Sequence, residues 1–509
     1  MTKPIIQHDP GCLPRSIDQT INALAESNVG LVRWADSLYQ IRVLSEAQNG
    51  VVSRPKGSIV LVPATQQLIM ELATGVAVHR KYDSRVSGDD KYKIINCPGQ
   101  VAAGVVARGY WPEFPMLTGV VEAATIDLHG NEISKPGHDL TTGLYIATDK
   151  PLPAMTGFMG RSKAQEAIRT LKEPLRGFSF VSNADLSAAL AAIITSLIRR
   201  ILPSAPMFGI TAPTPGTGKT LLAEAIAIIA TGRRPPVMSM GSDENELAKR
   251  LNGVLLSGDS MLLIDNVTRP FGNEDSMNQM LSQPVMRFRP LGGSGMVTAP
   301  TNLTVVVTGN NLAIVGDAKR RTALIQMDAC DERPETREFA WDVLVETSKN
   351  RNKLIRAALE ITKSYFEAGK PRVEGWKPFG SFNDWDAMVR RPLMYFGEPD
   401  PILSANVLRE IDPDLESMRL MFSAIHTKYE DREVTASKII DDGLATYTGI
   451  YTSPDLHEAL ELTCGGRIDP RRLGNWLRVH ANRIVDGRQL RRCAKDDRSG
   501  VALWCVVKQ

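Results

Sequence analysis

The sequence predicts an α/β fold organised around a parallel sheet, with further domains on either side of it. Three observations predict it. Apolar runs at 207–212, 261–264 and 303–308 each end at a turn or a polar residue. A long apolar helical pattern follows the first of them, from Lys219 to Ala230, and Gly232 stops it. Strands that alternate with helices and carry polar residues at their ends build parallel sheets with ligand sites along that edge.

Bulk properties set the frame. A chain of 509 residues exceeds the size of a single core, so more than one domain is expected. With 43% hydrophobic and 23% charged residues it has an ordinary globular composition. No apolar run reaches the length of a membrane span, and residues 1–18 lack the apolar core of a signal peptide. Six cysteines without a C-x-x-C pair argue against a zinc module or disulfide framework, and a cytoplasmic location is expected. Net charge is only +3, so any nucleic-acid surface must come from local clustering. The seven histidines show no ligand spacing and are read as structural. Trp341 and Trp385 are read as core.

Taken in order, residues 1–165 read as a strand-rich α+β region. A buried strand at 58–63 leads into a helix through Ala73, and strands at 119–126 and 143–147 flank a turn-rich segment. Pro151, Pro153 and the stretch 157–160 look like a linker. A helix from 182 to 200 follows, capped by Asn183 or Asp185. Residues 335–368 are largely helical, and 371–378 break the pattern.

Between the first strand and its helix stands Pro213-Thr-Pro-Gly-Thr-Gly-Lys-Thr220. Gly216 and Gly218 can take backbone angles closed to other residues and keep side chains out of the way. The N–H groups from Pro215 through Gly218, less proline's own, together with Thr217 and the helix start, can then cradle phosphates. Lys219 is placed to reach the β/γ-phosphates of ATP, and the Thr220 hydroxyl to hold Mg²⁺. Asp265, at the end of the 261–264 strand, is the second Mg²⁺ ligand expected of such a site. Asn310 follows the 303–308 strand. Its amide can orient an attacking water and sense the γ-phosphate; a turn-forming Asn-Asn pair is the plainer alternative. Lys319, Arg320 and Arg321 follow a Gly-Asp turn. One of them, reaching a neighbouring subunit, can stabilise charge on the transferred phosphoryl group, or the three form a solvated cluster.

Taken together, these motifs resemble those of a known family. The 213–220 loop is similar to the P-loop of AAA+ ATPases. The order of P-loop, Asp265, Pro300 and 304–310 resembles motifs A, B, B′ and C of the superfamily 3 helicases. The resemblance is closest to the helicase part of primase-helicases carried by phages, plasmids and integrative elements. Residues 119–123, 308–312, 319–321, 328–339 and 385–400 add to it, over roughly 115–509. It implies a homo-oligomeric ring, a hexamer, that couples ATP hydrolysis to movement along DNA. Two departures stand out. Pro213 replaces a usual Gly or Ala. Asn266 stands where many such enzymes carry a second acid, and an amide cannot accept a proton as a base does. Glu244, Asp259 and Glu274 are the candidate substitutes.

Two segments point to DNA. Residues 286–298 read as a β-hairpin around a Gly-rich turn. The family resemblance puts such a hairpin in the ring's channel, with Arg287 and Arg289 available for the backbone and Phe288 beneath them or against a base. Residues 435–509 read as a winged-helix module: helices at 435–445, 455–462 and from 470, then strands at 489–493 and 501–507 around a turn at 496–500. On the third helix Leu473, Trp476 and Leu477 share one side, leaving Arg471, Arg472 and Arg478 outside. Ten Lys or Arg stand against four Asp or Glu between 467 and 498, which favours duplex DNA over a merely solvated face.

The domains expected are therefore 1–165 (a collar or partner-binding α+β domain), 175–370 (AAA+ core with helical lid), 371–434 (helical) and 435–509 (winged helix). The function expected is an ATP-dependent DNA helicase replicating a mobile element. Residues 1–165 carry no polymerase or nuclease signature, so a separate primase or other replication protein is an expected partner. An ATP-switched DNA-binding initiator, loader or regulator without unwinding is the alternative, and a defence or packaging motor a third reading.

Overall fold

A computed structural model describes residues 2–86, 90–148, 155, 160–291, 295–331, 333–334, 341–405, 413–464, 468–495 and 501–508. The linker expected at 151–160 lies largely outside these residues, as do the hairpin tip at 292–294 and the turn at 496–500. The protein is a mixed α/β structure in two compact units, Met1–Ala405 and Asn406–Gln509.

The first unit is built on a sheet whose parallel strands we label β1 (Met207–Ala212), β2 (Val237–Met238), β3 (Met261–Ile264), β4 (Thr304–Asn310) and β5 (Thr322–Gln326). Their order is β5-β1-β4-β3-β2, every neighbouring pair parallel. All four residues of β3 and the first six of β4 are buried, as strands covered on both faces require. Helix α1 (Lys219–Thr231) leaves β1 through the Gly-rich loop, and α2 (Glu244–Ser257) joins β2 to β3. Helix Asn183–Ile198 packs against α1 and is almost wholly buried. Its cap is Ser182, one residue before Asn183, with Asp185 as the reciprocal partner in a capping box. Ser182 is extended and accepts from the Asp185 N–H, while Asp185 takes the Ser182 N–H at 2.9 Å.

Residues before 119 form two small sheets with helices Leu13–Glu26, Gln66–Val76 and Gly99–Ala107 around a core that includes Leu24, Ile69, Val101 and Trp111. This region is not merely appended. Val52–Ser53 adds an antiparallel strand beside β2, and Arg54 meets the buried Asp259 at 2.5 Å. The core around Phe208 and Ile226 also takes in Ile126, Ile168 and Leu171, so packing does not change hands near 165. Residues 371–434 likewise divide. Phe379, Trp385 and Leu393 belong to this core, whereas Met421, Phe422 and Ile425 belong to that of the second unit. Trp385 is fully buried, its Nε1 donating to Thr195 Oγ1 at 2.8 Å. Trp341, expected in the core, is only half-buried and lies under the Arg176 guanidinium, 3.9 Å from the ring centre.

The second unit packs helices Pro413–Tyr429, Ala436–Leu444, Pro454–Cys464 and Pro470–Val479 with the antiparallel pair Arg488–Lys495 and Ala502–Lys508. Short strands Val434–Thr435 and Ile484–Val485 complete its sheet. The sequence-based boundary put the first helix in the helical region 371–434, whereas its Met421, Phe422 and Ile425 join Leu473, Leu477 and Trp504 in one core.

At the N-terminus, strand Ile5–Gln7 pairs with Val78–Tyr82, and the buried His8 and His79 share a 2.8 Å hydrogen bond. Burial, then the field of His79, pushes His8 down from 6.5 to about 4. A depressed imidazole keeps its full stabilising effect above the unfolded pKa, so stability should fall as pH drops from about 6.5 toward about 4. Thermal unfolding across that range checks this: His8→Gln should flatten the dependence, and an unchanged slope would contradict it.

Candidate nucleotide site and basic faces

The loop from β1 to α1 has the geometry its sequence predicts. Gly216 (φ 76°) and Gly218 (φ 91°) both stand in the left-handed region, the second serving as the cap of α1. A side chain at 218 would also press on Phe178, 3.4 Å from the position of its Cβ. No side chain caps α1, so its first-turn N–H groups face into the loop. Lys219 Nζ donates to Thr214 O at 2.9 Å and Thr217 Oγ1 at 3.1 Å, holding the loop in a tight curve. Burial lowers the Lys219 ammonium from its ordinary value, and the Asp265 carboxylate opposes that shift. Pro213 and Pro215 lie on the exposed side of the loop.

Asp265 follows β3 directly and sits at the same edge. Its Oδ1 accepts from Thr220 Oγ1 at 3.0 Å and from Thr308 Oγ1, on β4, at 2.5 Å. Oδ2 has no hydrogen bond among the described residues. The strand order explains the meeting, because β4 lies between β1 and β3. Asn310 ends β4 opposite Ala212, where the loop begins, and Asn311 N donates to Ala212 O at 3.0 Å. The Asn310 side chain is exposed and has no partner among the described residues. Lys219, Thr220, Asp265 and Asn310 are thus gathered at one sheet edge.

The acids sort themselves. Asp259 precedes β3 and so lies at the opposite edge, buried against Arg54; burial raises its carboxyl although Arg54 opposes this. It is excluded as a partner of Asp265. Glu274 accepts from Gly272 N at 2.6 Å, and Glu244 Oε1 from Ser276 N at 3.0 Å, leaving Oε2 buried and unpaired among the described residues. Glu224 was missed by sequence reading. It lies one turn beyond Thr220 on α1, where i and i+4 share a face. Burial raises its carboxyl, Arg234 at 3.2 Å lowers it, and the Asp265 charge raises it again. The i+4 spacing from Thr220 was the available signal. Asn266 is exposed with φ 55°, its N–H on Thr308 Oγ1 at 3.0 Å.

Arg320 and Arg321 are elsewhere. They close the turn Gly316–Arg321 before β5, and Thr322 pairs with Met207 at the start of β1. Six strand residues separate that edge from the loop, about 20 Å. Neither arginine reaches the loop of its own chain. Both bind Asp317, and Arg321 also donates to Asn278 O at 3.2 Å; Arg320 is the more exposed. The paired cations hold the Asp317 carboxyl below its usual range.

Strands Val285–Phe288 and Val297–Pro300 pair as an antiparallel hairpin. Alternation puts Met286 and Phe288 inside and Arg287 and Arg289 outside, so Phe288 packs beneath its cationic neighbours. In the second unit Asp469 caps helix Pro470–Val479 through the N–H groups of Arg471 and Arg472. Leu473 and Leu477 are buried, while Arg471, Asn475 and Arg478 share the exposed face. Arg472 is tied back to Cys464 O at 2.9 Å.

No family model matches the chain, and no curated protein matches it. Among solved structures, the A form apo structure of the NrS-1 C terminal region is similar over 92% of this chain and 97% of that one, with 11% identity and a TM-score of 0.36. A second, the A form apo structure of NrS-1 CTR(305-718), is similar over 92% and 96%, with 11% identity and a TM-score of 0.32. At such scores the functional reading rests on the chain's own residues. Among the described residues no helix is long and apolar enough to cross a membrane.

Proposed function

We propose that this chain is an ATP-hydrolysing DNA helicase of the superfamily 3 kind within the AAA+ ATPases, replicating a mobile element. One observation carries the reading. The Thr220 hydroxyl and the Asp265 carboxylate meet at 3.0 Å where a Gly-rich loop opens a helix beside Lys219. Hydroxyl and carboxylate oxygens are hard donors of the type Mg²⁺ takes, and the free Oδ2 of Asp265 suits that role. When bound, Mg²⁺ neutralises charge on the β- and γ-phosphates. The loop and first-turn N–H groups hold the phosphates, and Lys219 answers the charge that develops as the terminal bond breaks. Asn310 orients the attacking water, and Glu224 or Glu244 takes its proton in place of the acid missing at 266.

Arg320 serves the site of the next copy in a ring, since about 20 Å of strand separates it from its own loop. Arg287 and Arg289 grip single-stranded DNA in the channel. The second unit, with its basic helix and hairpin, is read as a winged helix on duplex DNA. Arg471 and Arg478 have no structural duty in its core, so Arg471→Ala with Arg478→Ala should preserve folding while weakening duplex binding. Removing two phosphate contacts should reduce the slope of log K against log salt by about 2. Titrations at several salt concentrations check this, and an unchanged slope would remove the helix from the interface.

A second reading keeps ATP-dependent DNA binding without unwinding, and Asn266 favours it. Strand displacement on a forked duplex separates the two: ATP-dependent displacement supports the helicase, and ATP-dependent binding alone supports the switch.

A further inference from the structure

A cavity of about 700 Å³ lies between residues 48–54, helix α2 and the hairpin residues 289–291. Neither Asp265 nor any residue of the Gly-rich loop lines it, and it lies on the side where Val52–Ser53 edges the sheet. Its walls are largely apolar, made by Val51, Leu256 and Leu291. Val51 and Leu291 are 58% and 87% exposed, unusual for such side chains beside a basic hairpin. The amides of Asn49 and Asn252 also line it and have no side-chain hydrogen bonds among the described residues. Four cations line it, two of them engaged. Arg250 is occupied by Glu246 at 2.9 Å and Ser239, and Arg54 by Asp259. Lys249 and Arg289 are exposed and have no ion-pair partner among the described residues.

Apolar walls, free amides and unpaired cations match the base face, base edge and phosphate of a nucleotide. A flat base is sheltered by apolar contact, its edge is read by amide donors and acceptors, and its phosphate is met by cations. Arg289 belongs both to this rim and to the outer face of the hairpin. We propose that the cavity receives one unstacked nucleotide of a single strand passing over the hairpin. Its base lies against Val51, Leu256 and Leu291, its edge meets Asn49 and Asn252, and its phosphate meets Lys249 and Arg289. The inference rests on the reading of the hairpin as a DNA contact and adds what the strand does there.

Gly253 offers a clean test. It lines the cavity from α2, and a Cβ built on it meets nothing within 4 Å. Gly253→Phe therefore fills the space from a helical position where losing glycine is favourable. Fluorescence anisotropy with the full chain compares a labelled oligothymidylate with an abasic strand of equal length. Gly253→Phe should weaken the oligothymidylate about tenfold and leave the abasic strand unchanged. Arg287→Ala should weaken both. Loss of affinity in Arg287→Ala but not in Gly253→Phe overturns the base cavity while sparing the hairpin reading. No loss in either variant overturns the hairpin reading and the cavity with it. Free thymidine monophosphate separates the sources of the ligand. If Gly253→Phe abolishes its binding and leaves the oligothymidylate unaffected, the cavity serves a free nucleotide and the strand assignment fails.

Discussion

Lys219→Ala is expected to lower ATP hydrolysis by about a hundredfold or more, the usual cost of losing one preorganised donor at a site of developing charge. The ammonium is held by Thr214 O and Thr217 Oγ1, so its position is set by the loop rather than by chance packing. Burial already lowers its pKa, which raises the cost of keeping it charged without an anion. Folding should be little affected, since both partners belong to the loop and not to the sheet or helix core. Steady-state phosphate release with a thermal melt as control makes the check. A variant that melts like the parent and hydrolyses ATP at the parental rate would remove Lys219 from the chemistry.

Asp259→Ala is expected to cost about 3–5 kcal/mol of stability, because it strands a buried guanidinium. Arg54 donates to both Asp259 oxygens, with Nη2 at 2.5 Å, and the buried Arg200 contributes a second positive field. The loss falls at the seam where Val52–Ser53 joins the edge of the central sheet, so it should also loosen the N-terminal region. Replacing both partners, Arg54→Met with Asp259→Leu, should recover part of the loss, since the stranded Arg54 guanidinium is gone while Arg200 keeps the field of Glu122. Denaturant unfolding of Arg54→Met, Asp259→Leu and the double variant measures the coupling. Equal losses in Asp259→Leu and the double variant would show that lost packing, not a stranded charge, dominates. The same pair explains why Asp259 cannot assist Asp265.

Much of the candidate nucleotide edge was legible in the sequence, because its signals are local. Two glycines with positive φ, an apolar strand ending in Asp265 and a helix opening at Lys219 depend only on neighbours in the chain. The hairpin alternation of Arg287, Phe288 and Arg289 was legible for the same reason. What escaped depends on contacts between distant segments. Nothing near Asp259 in sequence announces Arg54, 205 residues away. The place of Arg320 at the far edge from its own loop follows from the pairing of β5 with β1. Helix Pro413–Tyr429 was assigned to the wrong neighbourhood because its apolar face has no visible partner until the core around Leu473 and Trp504 is assembled. Glu224 was hidden by α1's uniformly apolar character, where one acid reads as a surface interruption.

Hydrolysis at the Lys219–Asp265 edge is proposed to drive movement along DNA. Strand displacement on a forked duplex tests it most directly, with the wild-type chain beside Lys219→Ala. Displacement is expected from the wild type with ATP, none with a non-hydrolysable analogue, and none from the variant. ATP-dependent binding to the fork with no displacement, on a fork of either polarity, would contradict it and leave the chain an ATP-switched DNA binder.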